Sequence, residues 1–393
     1  MNYIDEHDIS HKRVLLRVDF NVALSASHTI ANDIRMRQVL PTIEYLLKQH
    51  NKIIIVTHLG RPLGHEERFS LKHIAHHLLE LLQNISVRLI EDFLTESPST
   101  FTNQKDGEII LLENIRYYPE EDANDQEFAK KLAMLSDVYV NDAFSTSHRE
   151  TASIVGVPHY IPSFAGLLMK KEVMMLEKAI KHPQKPVVAI LGGSKISSKI
   201  HLITKLITLA DAVLLGGGIA NTFLATKTHD LGKSLVEENE IATARRLILL
   251  AEKEKTALLL PHDVIVSEEK SHHTSEIKLV TNLCATDMIL DLGPATLASY
   301  GQQLATARTI LWNGPVGYFE NPTFKEGTDF IYYAITQNSH AVSIVGGGDT
   351  LAALEKKEYL DKITHISTGG GAMLEFIENN TLPGIEALNL STK

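Results

Sequence analysis

Six side chains at the ends of apolar runs give the first half of this chain the makings of an anion site. The runs are V-L-L-R-V-D-F-N (14 to 21), I-I-I-V-T-H-L-G-R (53 to 61), I-I-L-L-E-N-I-R (109 to 116) and V-Y-V-N-D-A-F-S-T-S-H-R (138 to 149). They present Asp19, Asn21, His58, Arg61, Arg116 and Arg149. The planar fork of arginine matches carboxylate or phosphate bidentately. A single such arginine is a solvated surface charge; three at equivalent ends of successive strands form a clamp. Asp19 and Asn21 either cap a turn or hold a substrate hydroxyl and orient an arginine.

The second half carries glycines where the first carries arginines. Residues 341 to 351 read A-V-S-I-V-G-G-G-D-T-L, an apolar run that stops at three glycines, an Asp and a Thr. Glycine lets backbone approach a ligand closely, and a helix starting near Thr350 would aim N–H groups and its positive end at a phosphate. Asp349 is a carboxylate suited to a phosphate-bound Mg²⁺; the plainer alternative is a βα turn with Asp349 or Thr350 as cap. In G-G-S-K-I-S-S-K, Lys195 and Lys199 stand four apart on one helix face and repel unless an anion lies between them. No dinucleotide fingerprint, P-loop, metal-ligand spacing or nucleophile elbow accompanies them.

The elements that must position these groups follow from periodicity. Segments 36 to 50, 71 to 84 and 125 to 136 have helical spacing between the apolar runs, so strands alternate with helices and a parallel sheet covered on both faces is expected. Ligands of such sheets collect beyond the carboxyl ends of the strands. From Phe164 the pattern becomes a linking helix, stopped by Pro183 and Pro186. After it come six apolar runs ending in Gly, at 187, 212, 288, 309, 343 and 365, whose ends hold 14 of the 23 glycines. Repeated glycines at one edge of one sheet describe a groove that suits a nucleotide.

Composition limits the alternatives. With 393 residues, two to three domains are expected. A net charge of −10 disfavours nucleic acid or an anionic membrane as partner, since both need a basic face. The lone Cys284 excludes an internal disulfide and fits a reducing, cytoplasmic setting. No apolar run approaches a membrane span, the N-terminus lacks a signal-peptide pattern, and His76-His77 and His272-His273 read as surface residues.

The motifs R-V-D-F-N-V (17 to 22), T-H-L-G-R-P (57 to 62), L-L-E-N-I-R-Y-Y-P-E-E (111 to 121), V-N-D-A-F (140 to 144), I-L-G-G-S-K-I-S-S-K-I (190 to 200), L-L-G-G-G-I-A-N-T-F-L (214 to 224), I-L-W-N-G-P-V-G-Y-F-E (310 to 320) and V-G-G-G-D-T (345 to 350) stand in family order. With them the sequence resembles phosphoglycerate kinases over essentially its whole length. The resemblance implies an α/β fold of two Rossmann-like three-layer domains with parallel sheets, joined by a linking helix. The first, 1 to 168, would bind phosphoglycerate; 169 to 183 would be the interdomain helix; 184 to 379 would bind nucleotide; and a tail from about 380 to 393 would return to the first domain. It implies a monomer whose hinge closes, ADP/ATP as co-substrate and Mg²⁺ as cofactor.

By the same resemblance, Asp19, Phe20, Asn21, Arg35, His58, Leu59, Gly60, Arg61, Arg116 and Arg149 would hold 3-phosphoglycerate or 1,3-bisphosphoglycerate. Lys195, Lys199, Gly216, Gly217, Gly293, Asn313, Glu320, Gly347, Gly348, Asp349 and Thr350 would hold nucleotide. Glu320 would take the ribose hydroxyls and Asp349 the magnesium, while Arg35, Lys195 and Lys199 would act catalytically on the moving phosphoryl group. The chain departs from the family pattern at Ser145, where Gly is usual, at Glu150-Thr151, where Ala-His is common, at Ser194, where Ala is usual, and at Ala295, where Lys is common. A non-catalytic nucleotide-binding protein of the same fold is the alternative. It would normally have lost Asp349, a lysine or an arginine, and all are present.

Overall fold

The computed structural model describes residues 1–390 except 26–28, 31, 84, 228, 229, 272, 355 and 356. The histidine reading at 272 and the last three residues of the tail therefore lie outside the described residues. The chain forms two units, Met1–Met174 with Thr381–Lys393, and Met175–Asn380.

In the first unit, β1 (Arg13–Arg17), β2 (Lys52–Val56), β3 (Ser86–Ile90), β4 (Glu108–Leu112), β5 (Val138–Asn141) and β6 (Ser163–Ala165) form one parallel sheet in the order β3-β4-β2-β1-β5-β6. β2 reads K-I-I-I-V with Ile53, Ile54 and Ile55 fully buried; a strand apolar on both faces needs helices above and below it. The helices Ile34–Lys48, Lys72–Leu81 and Gln126–Ala133 match the periodic segments, the first starting early enough to put Arg35 in its first turn. Neighbouring strands β4, β2, β1 and β5 are the four whose ends carry the anion-site candidates, so the topology gathers Arg116, His58, Arg61, Asp19, Asn21 and Arg149 at one edge.

Two strands of this unit escaped the sequence pattern. β3, S-V-R-L-I, is an edge strand with a mostly half-buried face and no long apolar run, and β6 is a three-residue strand in the segment read as the start of the linking helix. That helix spans Leu167–Ile180. Its first turn is anchored in the first unit: Met169 N donates to Asp142 Oδ1 at 2.9 Å and Leu167 N to Thr42 Oγ1 at 3.1 Å. A Cβ on Gly166 would come within 2.3 Å of that Asp142 oxygen, which explains the glycine. The helix Pro383–Leu390 also belongs to the first unit, with Gly384 N donating to Ser147 O at 2.8 Å.

Burial pushes the Asp142 carboxyl up to about 7, whereas an unfolded aspartate titrates near pH 4. Between those values the folded chain binds the extra proton, so this group makes stability fall as pH rises from about 4 to about 7 and contributes nothing further above. Asp142→Asn keeps the acceptor for Met169 and removes that decline. Asp291 in the second unit, also pushed up to about 7 by burial, supplies a decline of the same sign. His58, pushed down to about 3 by burial, acts in the opposite sense up to about pH 6.5, so the measurement is a difference: the change in urea midpoint from about pH 5 to about pH 8 should be less negative in Asp142→Asn than in the native chain.

In the second unit, β7 (Val187–Leu191), β8 (Ala212–Leu215), β9 (Ala257–Leu259), β13 (Thr309–Asn313), β14 (Val342–Gly346) and β15 (His365–Ser367) form a parallel sheet in the order β15-β14-β13-β7-β8-β9. β10 (Asp263–Ser267), β11 (Glu276–Leu279) and β12 (Met288–Leu292) form a separate antiparallel sheet, β11-β10-β12. This corrects the reading of six glycine-ended strands on one sheet: the run at 288 belongs to the small sheet, and β9 takes the sixth place. An apolar run ending in Gly reads the same in either pairing, because strand direction depends on partners far away in sequence. Trp312 is buried at the centre of the larger sheet, where its Nε1 donates to Gly314 O at 2.9 Å and fixes the turn after β13.

Candidate active site

The first unit gathers its candidate residues around Asp19, two residues past β1 and 6% exposed. Its Oδ2 accepts Arg35 Nη1 at 2.6 Å and the Ser145 hydroxyl; its Oδ1 accepts Asn21 N at 2.9 Å and lies 4.0 Å from His58 Nδ1. Against its burial, the facing His58, Arg35, Ser145 and Asn21 hold this carboxyl below the usual range. Burial, reinforced by Arg17, Arg116 and Arg35 and opposed by Asp19, pushes His58 down to about 3. With His58 uncharged at neutral pH, Arg35 is the cation that keeps Asp19 ionised.

Asn21 and Arg116 clasp the next strand's loop: Gly60 N donates to Asn21 Oδ1 at 2.8 Å, and Arg116 Nη1 donates to Gly60 O at 2.6 Å. Gly60 has φ +62°, and a Cβ there would meet Phe69 at 2.2 Å, so no other residue fits this turn. The Phe20 and Leu59 side chains are core, and their backbone is spent too, Phe20 N donating to Thr57 Oγ1 at 2.9 Å, so both residues shape the loops around the site rather than offering a group to a ligand. Leu59 is tied to the Asn114 amide through both N–H and C=O, at 3.2 and 2.8 Å. Arg61 is exposed and Arg149 half-buried.

The guanidiniums are crowded. Burial first, then Arg149, Arg17 and Arg61, draw Arg116 below its ordinary value, with Asp122 opposing. A like-charge cluster of this kind is relieved by an anion. Arg17, the last residue of β1, belongs to it and sequence reasoning passed over it. It is buried, its Nε donating to Ser153 Oγ at 2.8 Å, and that hydroxyl in turn donates to Glu121 Oε1 at 2.6 Å. A charged residue inside V-L-L-R-V-D-F was the available signal, because burying a cation needs a reason.

The second unit supplies a cavity of about 390 Å³. From the large sheet come Gly193, Gly217, Gly218 and Asp349, and from the small sheet and its loops Met288, Leu290 and Lys270; Tyr318 and Glu320 complete the wall. Backbone crowds this corner. A Cβ on Gly192 would lie 2.0 Å from Pro315 O, and one on Gly217, where φ is +61°, would lie 2.7 Å from Gly193 O. Gly216 precedes the helix Gly217–Leu224, against Val316.

Lys199 reaches the same corner, its Nζ donating to Gly192 O at 2.9 Å. Burial pulls it down to about 8, with Asp349 pulling the other way. Lys195 is exposed and does not share its surroundings. Asn313 and Thr350 turn out to brace the loops: Asn313 Nδ2 donates to Gly346 O at 2.9 Å, while Thr350 Oγ1 donates to Gly346 O at 3.0 Å and accepts Gly314 N at 2.7 Å. The helix Gly348–Ala353 takes Gly347, at φ +109°, as its cap with no side-chain cap bond, so the capping alternative for Asp349 and Thr350 fails; Gly348 has open space around it. Gly293 caps the helix Pro294–Thr306 beside Asp263, and among the described residues it does not line the cavity.

Among the described residues no group of three or more His, Cys, Asp or Glu gathers to hold a metal ion, and no helix is long and apolar enough to cross a membrane. A lone carboxylate such as Asp349 at a phosphate-type pocket suits Mg²⁺, which keeps most of its ligands from phosphate and water.

Comparison with known proteins follows the same line. The family model described as phosphoglycerate kinase matches residues 4–380. A curated phosphoglycerate kinase of Dictyoglomus turgidum is 47% identical over 384 residues, covering 98% of this chain and 97% of that protein. One from Moorella thermoacetica is 46% identical over 384 residues, covering 97% of each. The structure of phosphoglycerate kinase from Coxiella burnetii superposes with a TM-score of 0.89 at 41% identity, covering 99% of this chain and 98% of that one.

Proposed function

The chain belongs to the phosphoglycerate kinase family, whose glycolytic reaction moves a phosphoryl group reversibly between 1,3-bisphosphoglycerate and ADP, and we propose a division of that work between its two units. The basic cluster of the first unit holds the three-carbon acid. Arg61, Arg116 and Arg149 take its charged ends, Asp19 and Asn21 its hydroxyl, with neutral His58 as a polar wall and Arg17 adding field from beneath. The pocket of the second unit holds ADP, with phosphates over Gly193, Gly217 and the Gly347–Gly348 backbone, Glu320 at the ribose, and the base among Leu290, Met288 and Tyr318. The observation that carries this is the pairing of chemistries: mutually repelling guanidiniums in one unit, and in the other a glycine-lined pocket with Asp349 and Glu320 on its wall and Lys199 at its glycine corner.

No general base is needed. The terminal phosphate oxygen of ADP is already anionic at neutral pH, and the leaving carboxylate needs no proton. The rate then comes from placing the reacting atoms about 3–3.5 Å apart and from cations fixed where charge develops. Lys199, Lys195 and Arg35 serve the moving phosphoryl group. Mg²⁺ held by Asp349 would neutralise nucleotide phosphate charge. Because substrates on separate units must meet with water excluded, hinge closure is part of the reading. We also take the enzyme to be a cytoplasmic monomer, on the family resemblance and on the free thiol of Cys284, which fits a reducing compartment. Supplying 1,3-bisphosphoglycerate, ADP and Mg²⁺ and measuring ATP tests the whole. Binding of ADP without ATP formation would leave the non-catalytic alternative standing.

A further inference from the structure

Lys195 and Lys199 stand on one turn after β7, and a carboxylate from a distant segment closes it. The turn Ser197–Lys199 leads into the helix Ile200–Leu209, and its cap position is Ile196, whose aliphatic side chain accepts nothing. The first N–H groups of such a turn need an acceptor. Glu237 supplies it: its Oε2 accepts Ser197 N at 3.0 Å and its Oε1 the Ser197 hydroxyl at 2.6 Å. Against its partial burial, these bonds, a further one from Ile196 N and the charge of Lys195 hold the Glu237 carboxyl below its ordinary value. Glu237 is itself tethered. Its N–H donates to Thr222 Oγ1 at 3.2 Å, and that hydroxyl donates to Gly218 O at 3.1 Å, at the start of the helix Gly217–Leu224. The same helix start presses on the residues before Lys195, since Ile219 N donates to Gly193 O at 3.2 Å and a Cβ on Gly218 would lie 2.3 Å from Ser194 O. Lys233 and Leu235 line the cavity, so the segment 233 to 237 is pocket wall at one end and grips the lysine turn at the other.

The two lysines differ in what else holds them. Lys199 has an anchor of its own, the bond from Nζ to Gly192 O. Lys195 is exposed, and its place is set by its backbone: its carbonyl accepts the Ser198 hydroxyl at 3.1 Å from inside the turn, and the next two N–H groups go to Glu237. Building on the reading of Lys195 as one of the cations that serve the moving phosphoryl group, we infer that Glu237 is a positioning residue for the transfer, acting through Lys195. Among the described residues Glu237 is not part of the cavity lining, so its effect on the phosphoryl group runs through the turn it closes.

The test is kcat and KM for ADP, with 1,3-bisphosphoglycerate as donor, in the native enzyme, Glu237→Ala, Glu237→Gln, Ser197→Ala and Lys195→Met, and in Lys195→Met combined with each alanine variant. Glu237→Ala should lower kcat about tenfold, less than the roughly 10²-fold that a 1 Å misplacement can cost. Its KM for ADP should stay within about twofold of native, because the binding wall is retained. Glutamine keeps an acceptor for the backbone N–H groups and a donor for the Ser197 hydroxyl, so Glu237→Gln should keep kcat within about threefold of native. Ser197→Ala removes one bond without touching charge and should lower kcat about threefold. In the Lys195→Met background either alanine substitution should lower kcat by less than about twofold further. Native kcat in Glu237→Ala, equal losses in its alanine and glutamine variants, a raised KM with kcat unchanged, or full additivity with Lys195→Met overturns the inference and leaves the nucleotide reading standing. Native turnover in Lys195→Met overturns the role given to Lys195 and the inference with it.

Discussion

Lys199→Met is expected to lower kcat by about 10²- to 10³-fold, the cost of removing one preorganised donor aimed at developing charge. The side chain sits where backbone is densest. Its Nζ bonds to Gly192 O at 2.9 Å, and Cβ atoms built on Gly193 and Gly314 would stand 3.3 and 3.1 Å from it. In that partly dehydrated corner an ammonium interacts with phosphate more strongly than it would in water. The same dehydration lowers its pKa to about 8, so the free enzyme loses the charge as pH rises through about 8. In the native enzyme kcat/KM for nucleotide should fall on that alkaline limb, and Lys199→Arg, which stays protonated, should lose the limb while retaining part of the rate. If the lysine acts only on the transition state, kcat and kcat/KM fall together in Lys199→Met. Turnover near native in that variant would reduce Lys199 to a brace for the Gly192 turn.

How much of this was legible in sequence depends on whether the signal was local. Strand ends with Arg, His and Asp were readable because the apolar run, its end and the functional residue are contiguous, and parallel topology then gathers them. β3 and β6 were not readable, since an edge strand and a three-residue strand leave little apolar pattern. The antiparallel sheet was hidden for another reason: pairing of β12 with β10 is decided by residues some twenty positions away. Lys195 and Lys199 looked equivalent on a helix face, yet Lys199 is drawn into the glycine corner and Lys195 is left exposed. Asn313 and Thr350 stand in the glycine-rich motifs expected to hold nucleotide, but their polar atoms are spent on Gly346 and Gly314. Arg17 was the reverse case, a buried cation concealed inside a strand because its Ser153 and Glu121 partners come from distant segments.

Arg35→Ala should lower kcat by about 10²-fold or more, and the reason lies in how Asp19 shares its bonds. Arg35 donates one N–H, from Nη1, to Asp19 Oδ2, an oxygen that also takes the Ser145 hydroxyl. The carboxylate thus holds one corner of the guanidinium, and the fork's remaining donors suit a phosphoryl group. Arg35→Lys keeps a positive charge and loses the fork, so about tenfold of the rate should still be missing. Asp19→Asn should act largely through the same arginine. In the native background it loosens Arg35; in an Arg35→Ala background that route no longer exists, so its further effect on kcat should be much smaller. Single-turnover measurement of all four enzymes gives the coupling directly. Strictly additive effects would mean that Asp19 serves the substrate hydroxyl alone, and that Arg35 finds its catalytic position without Asp19.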